Sequence, residues 1–279
     1  MEPSFDMEKV QLLDAIYVDR QFSIEHRHVL HTHMDRLELL YIGSGAGRYQ
    51  VGSREYAVKE GDMVACNAGT LHGEHLTLPN DIQTYCLAFS GIRIPDLPEN
   101  VLISHKRRPV VSLKKYRDPI SWMMVRIYEL YGKNLPDSWL APAMAKTVLA
   151  MTYYELIEQE KTMERVPILQ KNETLMRDIT EYLDHNYRKE SLRMRDLIDR
   201  FHVSESFLSH EFRKETGLSP KQYIVLRRIG EAQSLLESTD KSIGEIETEL
   251  GFSSGVHFSA TFKKYVGMSP REYRKYYRD

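Results

Sequence analysis

The last eighty or so residues of this chain state one pattern twice, over residues 194–223 and again over 243–273. Ser204, Ser209, Phe212, Lys214, Gly217, Ser219, Pro220 and Tyr223 return as Ser254, Ser259, Phe262, Lys264, Gly267, Ser269, Pro270 and Tyr273. Duplication of one unit implies one job done at two places. In the first copy Met194, Leu197, Ile198 and Phe201 fall at helical spacing, the run breaks at His202-Val203-Ser204, and Ser204 can cap the next helix. Phe207, Leu208 and Phe212 mark the buried face of that second helix, which stops at Gly217. In the second copy Ile243, Ile246 and Leu250 supply the stripe, and Gly251-Phe252-Ser253-Ser254 is a turn one residue longer, moving the repeat offset from 49 to 50.

Helix, tight turn and helix form a helix-turn-helix pair, whose second helix enters the major groove of DNA. With the apolar positions removed, the second helices keep Ser204, Glu205, Ser206, Ser209, His210, Arg213 and Lys214 in one copy. The other keeps Ser254, Gly255, His257, Ser259, Ala260, Lys263 and Lys264. Hydroxyls and histidine reach base edges, and the basic pairs near the helix ends suit phosphates. Any exposed helix carries polar residues, but two copies matched in polar and apolar positions point to double-stranded DNA. Between the copies, Tyr223, Leu226, Ile229, Ala232, Leu235 and Leu236 predict one helix from Pro220 to Leu236. Its roughly sixteen residues span about 24 Å at ~1.5 Å per residue. A rigid spacer of that length can hold two reading helices near one DNA turn, ~34 Å, apart.

The segments F-R-K-E-T-G-L-S-P-K-Q-Y (212–223), R-I-G-E-A-Q-S-L-L-E-S-T (228–239), S-I-G-E-I-E-T-E-L-G-F-S-S (242–254) and H-F-S-A-T-F-K-K-Y-V-G-M-S-P-R-E-Y-R (257–274) resemble the AraC/XylS transcriptional regulators. The resemblance implies a seven-helix DNA-binding domain over 166–279, with helix-turn-helix units near 193–214 and 241–264, acting on promoters. It implies a bacterial regulator rather than an enzyme, more often an activator, and an activator would touch RNA polymerase. Ile198 and Glu247 depart from the family by standing where a small residue packs the first helix of each unit against the second. Ala260 stands where a polar base-contacting residue is frequent, which leaves apolar contact to a thymine methyl.

Charge qualifies the DNA reading. Residues 172–279 carry 18 Lys+Arg and 18 Asp+Glu, so the domain is formally neutral. Phosphate neutralisation supplies most non-specific affinity, so segregation of charge matters more than its sum. The basic clusters are Arg213-Lys214, Arg227-Arg228, Lys263-Lys264 and Arg271, Arg274, Lys275 and Arg278; Glu245, Glu247 and Glu249 lie on the first helix of the second unit.

The first ninety residues follow a different pattern. Short segments near 22–31, 37–42, 46–51, 54–58, 62–66 and 82–89 are rich in Val, Ile, Leu, Tyr and Phe, and are separated by Gly43-Ser44-Gly45, Gly52-Ser53, Gly61-Asp62 and Pro79-Asn80-Asp81. Such spacing predicts a β-barrel or sandwich, here about 14–92, and helical patterning returns over about 115–160. The expected fold is therefore α+β in two domains, with 1–165 as the first. The rows H-T-H-M-D-R-L-E-L-L-Y-I-G-S-G and G-D-M-V-A-C-N-A-G-T-L-H resemble the two cupin motifs, except that Asn67 stands in place of a proline and Leu76 in place of a later asparagine. The resemblance implies that His31, His33, Glu38 and His72 could ligate a divalent metal, and imidazole suits zinc, nickel, iron or manganese. No cofactor is certain from the sequence, because sensor cupins often keep these residues to bind a small-molecule effector without metal. Tyr49 and Tyr85 are further lining candidates, whereas His26, His28 and His75 read as surface or strand-edge residues.

Ile120, Met123, Met124, Ile127, Leu130 and Tyr131 lie at helical spacing, as do Ala145, Val148, Leu149, Thr152, Leu156 and Ile157 after Pro136 and Pro142. Two such helices appended to a barrel form the subunit contact in the resembling family, which implies a homodimer. Linking weak binders raises affinity through effective concentration. Residues 158–172, with Pro167, read as the linker. No stretch reads as a membrane helix, the first residues do not read as a signal peptide, and Cys66 and Cys86 read as core thiols, so a cytoplasmic protein is expected. The alternatives to an effector-sensing regulator are a metal-dependent cupin enzyme with a helical appendage and a regulator without an effector.

Overall fold

A computed structural model describes residues 7–21, 29–52, 54–74, 81–104, 107–131, 139–162 and 171–278. His26, His28, His75 and Pro167 lie outside the described residues, as does most of the strand expected near 22–31.

One antiparallel sheet of seven strands forms the first domain: β1 (Gln11–Val18), β2 (Leu37–Val51), β3 (Arg54–Lys59), β4 (Asp62–Cys66), β5 (His72–Glu74), β6 (Asp81–Ser90) and β7 (Val110–Ser112). The strand order is β1-β6-β2-β4-β7, with β3 and β5 pairing on β2. The Gly43-Ser44-Gly45 separator does not end a strand. It forms an irregularity inside the fifteen-residue β2, where register with β6 shifts between Ile42 and Ser44. Gly45 has φ +82°, and a Cβ there would stand 1.8 Å from the Asp81 carbonyl oxygen, so only glycine permits the pairing.

That bulge changes which face each residue sees. Before it, Leu37, Leu39 and Tyr41 face a core shared with two helices, α1 (Arg117–Leu130) and α2 (Leu140–Thr162). Leu40 and Ile42 face the sheet's own interior, where Val58, Val64, Cys66, Ile82 and Val110 also meet. After the bulge, Tyr49 and Val51 take the interior positions, so the alternation slips by one residue. Both cysteines are free, and burial pushes their thiols well above the usual range, as core thiols require.

The second domain is helical: α3 (Lys171–Asn186), α4 (Met194–Phe201), α5 (Glu205–Thr216), α6 (Pro220–Ser238), α7 (Ile243–Glu249), α8 (Gly255–Val266) and α9 (Pro270–Arg278). The spacer α6 has 19 residues and runs two beyond the expected end at Leu236, about 28 Å at ~1.5 Å per residue. Ser219 and Gln222 close a capping box at the expected start, and the extra length lies at the other end, where the helix continues past Leu236 to the Thr239 cap. No helix among the described residues is long and apolar enough to cross a membrane.

Candidate nucleic-acid interface and ligand centre

The two repeated units fold alike because their identical residues are mostly caps and core. Ser204 accepts the Phe207 amide at 3.2 Å, and Ser254 accepts the His257 amide at 3.3 Å. Gly217 and Gly267 close the reading helices α5 and α8 in left-handed conformations, at φ +74° and +97°. Phe212, Phe262, Tyr223 and Tyr273 have no exposed surface. Of the eight repeated residues, Ser209 with Ser259 and Lys214 with Lys264 remain as matched outward positions.

Around them Glu205, Ser206, His210 and Arg213 are exposed on α5, and His257, Ala260 and Lys263 on α8. His210 Nδ1 donates to Glu211 Oε1 at 3.0 Å, and Lys214 Nζ lies 3.9 Å from the same carboxylate, so this acid orients two residues of the first reading face. The departures at Ile198 and Glu247 are accommodated. Ile198 packs partly buried in the core of the first unit. A Cβ on Gly255 would stand 2.8 Å from Glu247 Oε2, so the missing side chain makes room for a carboxylate at the N-terminus of α8, where negative charge is favoured.

Two of the basic residues grouped with the phosphate contacts are structural. Arg227 has no exposed surface, and its Nε donates to Asp184 Oδ1 at 2.8 Å. Arg228 donates to the backbone oxygens of Tyr187, Lys189 and Gly251 at 2.7–2.9 Å, binding α6 to the turns on either side. Arg213, Lys214, Lys263, Lys264, Arg271 and Lys275 remain exposed.

In the first domain, His31, His33, Glu38 and His72 converge, each offering one ligand atom within 4.8 Å of the others. Glu38 projects from the inner face of β2; His33 Nε2 and His72 Nε2 each lie 3.1 Å from one of its oxygens. His31 and His72 are joined by a backbone bridge, with each amide donating to the other's carbonyl at 2.9 Å. His31 Nδ1 donates to Val29 O at 3.0 Å, and His72 Nδ1 donates to Thr70 O at 2.8 Å. Both rings are thereby fixed with Nε2 as the remaining nitrogen. His72 Nε2 then faces a carboxylate oxygen, two acceptors in contact unless a proton or a cation lies between them.

Electrostatics divide the cluster. Burial, then the neighbouring imidazoles of His72 and His33, hold His31 well below the usual range. Burial pushes the Glu38 carboxyl up, but the neighbouring His33 and His72 imidazoles outweigh it and hold the group well below its ordinary value. Burial opposes a proton on His33, and the Glu38 carboxylate overrides it, leaving this ring raised. A neutral imidazole beside an ionised carboxylate is the protonation state that a metal or a hydrogen-bonding ligand needs. The donor set fits a first-row divalent cation.

Tyr49 is buried on the interior face, as expected. Tyr85 is not a lining residue. It pairs with Tyr41 on the opposite face, its ring 4.9 Å from Tyr17 and 6.3 Å from Tyr128 of α1. Alternation along β6 dictates this, since Cys86 is the residue that pairs with inward Leu40.

The family described as the AraC-like ligand binding domain matches residues 15–149, and the helix-turn-helix domain matches 197–276. The chain is 31% identical over 251 residues to the uncharacterized HTH-type transcriptional regulator YdiP of Escherichia coli (strain K12), covering 89% of this chain and 82% of that protein. It is 24% identical over 259 residues to the transcriptional activator RhaS of Citrobacter koseri, covering 90% and 87% of the two. The crystal structure of ToxT from Vibrio cholerae O395 superposes with a TM-score of 0.51 at 13% identity, over 97% of this chain and 99% of that one, and shows the same two-domain fold. YdiP and RhaS are transcriptional regulators, which sets aside the cupin-enzyme alternative. The chain belongs to the AraC family of transcriptional regulators, with an N-terminal ligand-binding domain and a C-terminal helix-turn-helix domain that binds double-stranded DNA.

Proposed function

We propose that this regulator is a cytoplasmic, homodimeric activator whose His31–Glu38–His72 cluster binds the effector. The carrying observation is the convergence of three imidazoles and an ionised carboxylate inside the ligand-binding domain of a chain with two exposed reading helices. Activation is supported by the relatives RhaS and RhaR, which are transcriptional activators, and an activator bound at a promoter would contact RNA polymerase. Dimerisation is supported by Trp122, Tyr154 and Trp139, all exposed on or beside α1 and α2. His31, His33, Glu38 and His72 would hold a divalent cation, and a cation that takes more than four ligands would supply a Lewis-acidic centre for an oxygen of the effector. Without a cation, the same donors and Tyr49 would hydrogen-bond a small polar effector directly. A thermal shift of the full chain with Zn²⁺ or with a metabolite pool, lost in Glu38→Ala, tests this; no shift in any pool leaves a regulator without effector.

The first unit reads sequence and the second anchors, because α5 presents Glu205, His210 and Arg213 whereas α8 presents Gly255 and Ala260. Arg213→Ala is expected to weaken binding to a selected site by about 1–3 kcal/mol and to relax preference at one base position. Lys263→Ala is expected to weaken all sequences evenly and to reduce the salt slope by ~1. Footprinting and binding-site selection measure both. Equal loss of sequence preference in the two variants would contradict the asymmetry.

A further inference from the structure

The two domains meet at a seam beside the histidine cluster. Val29, with no exposed surface, packs among Leu226, Ile229 and Ala232 of α6, and Leu30 and Leu71 join the core of the first helix-turn-helix unit with Met176, Leu183 and Tyr223. The Val29 amide donates to Gln233 Oε1 at 3.0 Å in this buried seam. The Val29 carbonyl accepts His31 Nδ1 at 3.0 Å. One residue is therefore held by the spacer helix on its amide side and orients a cluster imidazole on its carbonyl side.

Leu30 lies between two glycines. A Cβ on Gly230 of α6 would stand 2.1 Å from the Leu30 carbonyl oxygen and 3.0 Å from His31 Cβ. A Cβ on Gly73, the residue after His72, would stand 2.9 Å from Leu30 Cα. Backbone thus rests on backbone from β5, through the Val29–His31 segment, to α6, with no side chain to absorb a displacement. Close-packed interiors transmit strain. The exposed residues of α5 and α8 lie outside this seam, so docking does not cover them. It fixes the helix that sets their spacing.

We infer that Gly73, Leu30 and Gly230 form a close-packed relay through which the occupant of the histidine cluster sets the position of the spacer helix α6, with Gln233 as its latch. This rests on the cluster being the effector site. An occupant acts through the relay to the extent that it binds the docked and undocked arrangements differently, and DNA must then act back on the cluster by the same factor.

Gly230→Ala in the full chain tests the relay, because alanine is a better helix former than glycine and leaves α6 intact while its methyl collides with Leu30. Zn²⁺ is the probe, operator DNA selected from a random pool is the ligand, and amide exchange at Val29 reports the seam. In the unaltered chain Zn²⁺ is expected to change DNA affinity ~5-fold or more, and DNA to change Zn²⁺ affinity equally. In Gly230→Ala both ligands are expected to bind without influencing each other, and Val29 to exchange at least ~10-fold faster through local opening. Gln233→Met removes the latch at similar volume, and is expected to show the same effects more weakly. Full coupling retained in Gly230→Ala, or a Val29 amide as protected as in the unaltered chain, would overturn the relay. No Zn²⁺ binding to the unaltered chain would overturn the cation reading of the cluster alone, and the Val29 amide would still decide the relay.

Discussion

Asp184→Ala is expected to destabilise the DNA-binding domain by about 3–5 kcal/mol, the cost of leaving one member of a buried ion pair uncompensated. Arg227 is the largest fully buried side chain among the described residues. Its guanidinium lies 4.5 Å from the Tyr187 ring centroid, and its Nε donates to Asp184 Oδ1, which also accepts the Tyr223 hydroxyl at 3.0 Å. Burial raises the Asp184 carboxyl and Arg227 opposes the shift without cancelling it, so the pair is held together by geometry against its own desolvation. Removing both charges should therefore cost far less than removing one, and Asp184→Ala with Arg227→Met is expected to recover most of the loss. Urea unfolding can follow the two domains separately. Both tryptophans, Trp122 and Trp139, belong to the first domain, so their fluorescence reports that unit while far-ultraviolet circular dichroism is weighted to the helices of the second. A loss below ~1 kcal/mol in the single variant would mean that the guanidinium reaches water and that the network is ordinary surface electrostatics.

The fate of Arg227 illustrates what the sequence could and could not disclose. Basic residues adjacent to a reading unit look alike whether they face DNA or fold inward, since periodicity places Arg227 between buried Leu226 and half-buried Arg228 and its partner Asp184 lies on a different helix. The duplication was legible because caps and aromatic core positions tolerate few substitutes. Ser204 with Ser254 and Phe212 with Phe262 recur for folding reasons, and the contact residues vary around them. The cluster was legible as two short histidine-bearing rows whose spacing resembles a known motif, and the fold does bring all four side chains together. Tyr85 was misplaced, and β2 was divided in two, for related reasons. Alternation reveals a face only when the strand's boundaries and bulges are known, and glycines at a bulge read like glycines in a turn. The seam was invisible, because nothing local in Val29-Leu30 or Gly230 signals that one backbone will rest on the other.

Glu237→Gln is expected to stabilise the folded chain at pH 8 and to flatten its stability profile between pH 5 and pH 8. Glu237 lies half-buried on α6, accepting the Tyr273 hydroxyl. Burial is the main cause raising its pKa from 4.5 to about 7; the Tyr273 hydrogen bond opposes the rise, Glu38 and Asp14 add to it, and His33 reduces it. Tyr277 of α9 also faces this carboxylate, and Glu74 of β5 acts on the same tyrosine. The folded state therefore binds this proton more tightly than the unfolded state. Its contribution is fully present below about pH 4.5 and is lost as pH rises through about 7, the reverse of a salt-bridged acid. Each tenfold in proton affinity corresponds to about 1.36 kcal/mol, so the limiting effect is on the order of 3 kcal/mol. Glutamine keeps the acceptor for Tyr273 and removes the titration. Because Glu38 and His33 act on Glu237, the cluster and the spacer helix also share an electrostatic link. Urea midpoints of both chains across that pH range, corrected for changes common to them, test the assignment. Parallel profiles would place the titrating proton elsewhere and leave Glu237 ionised across this pH range.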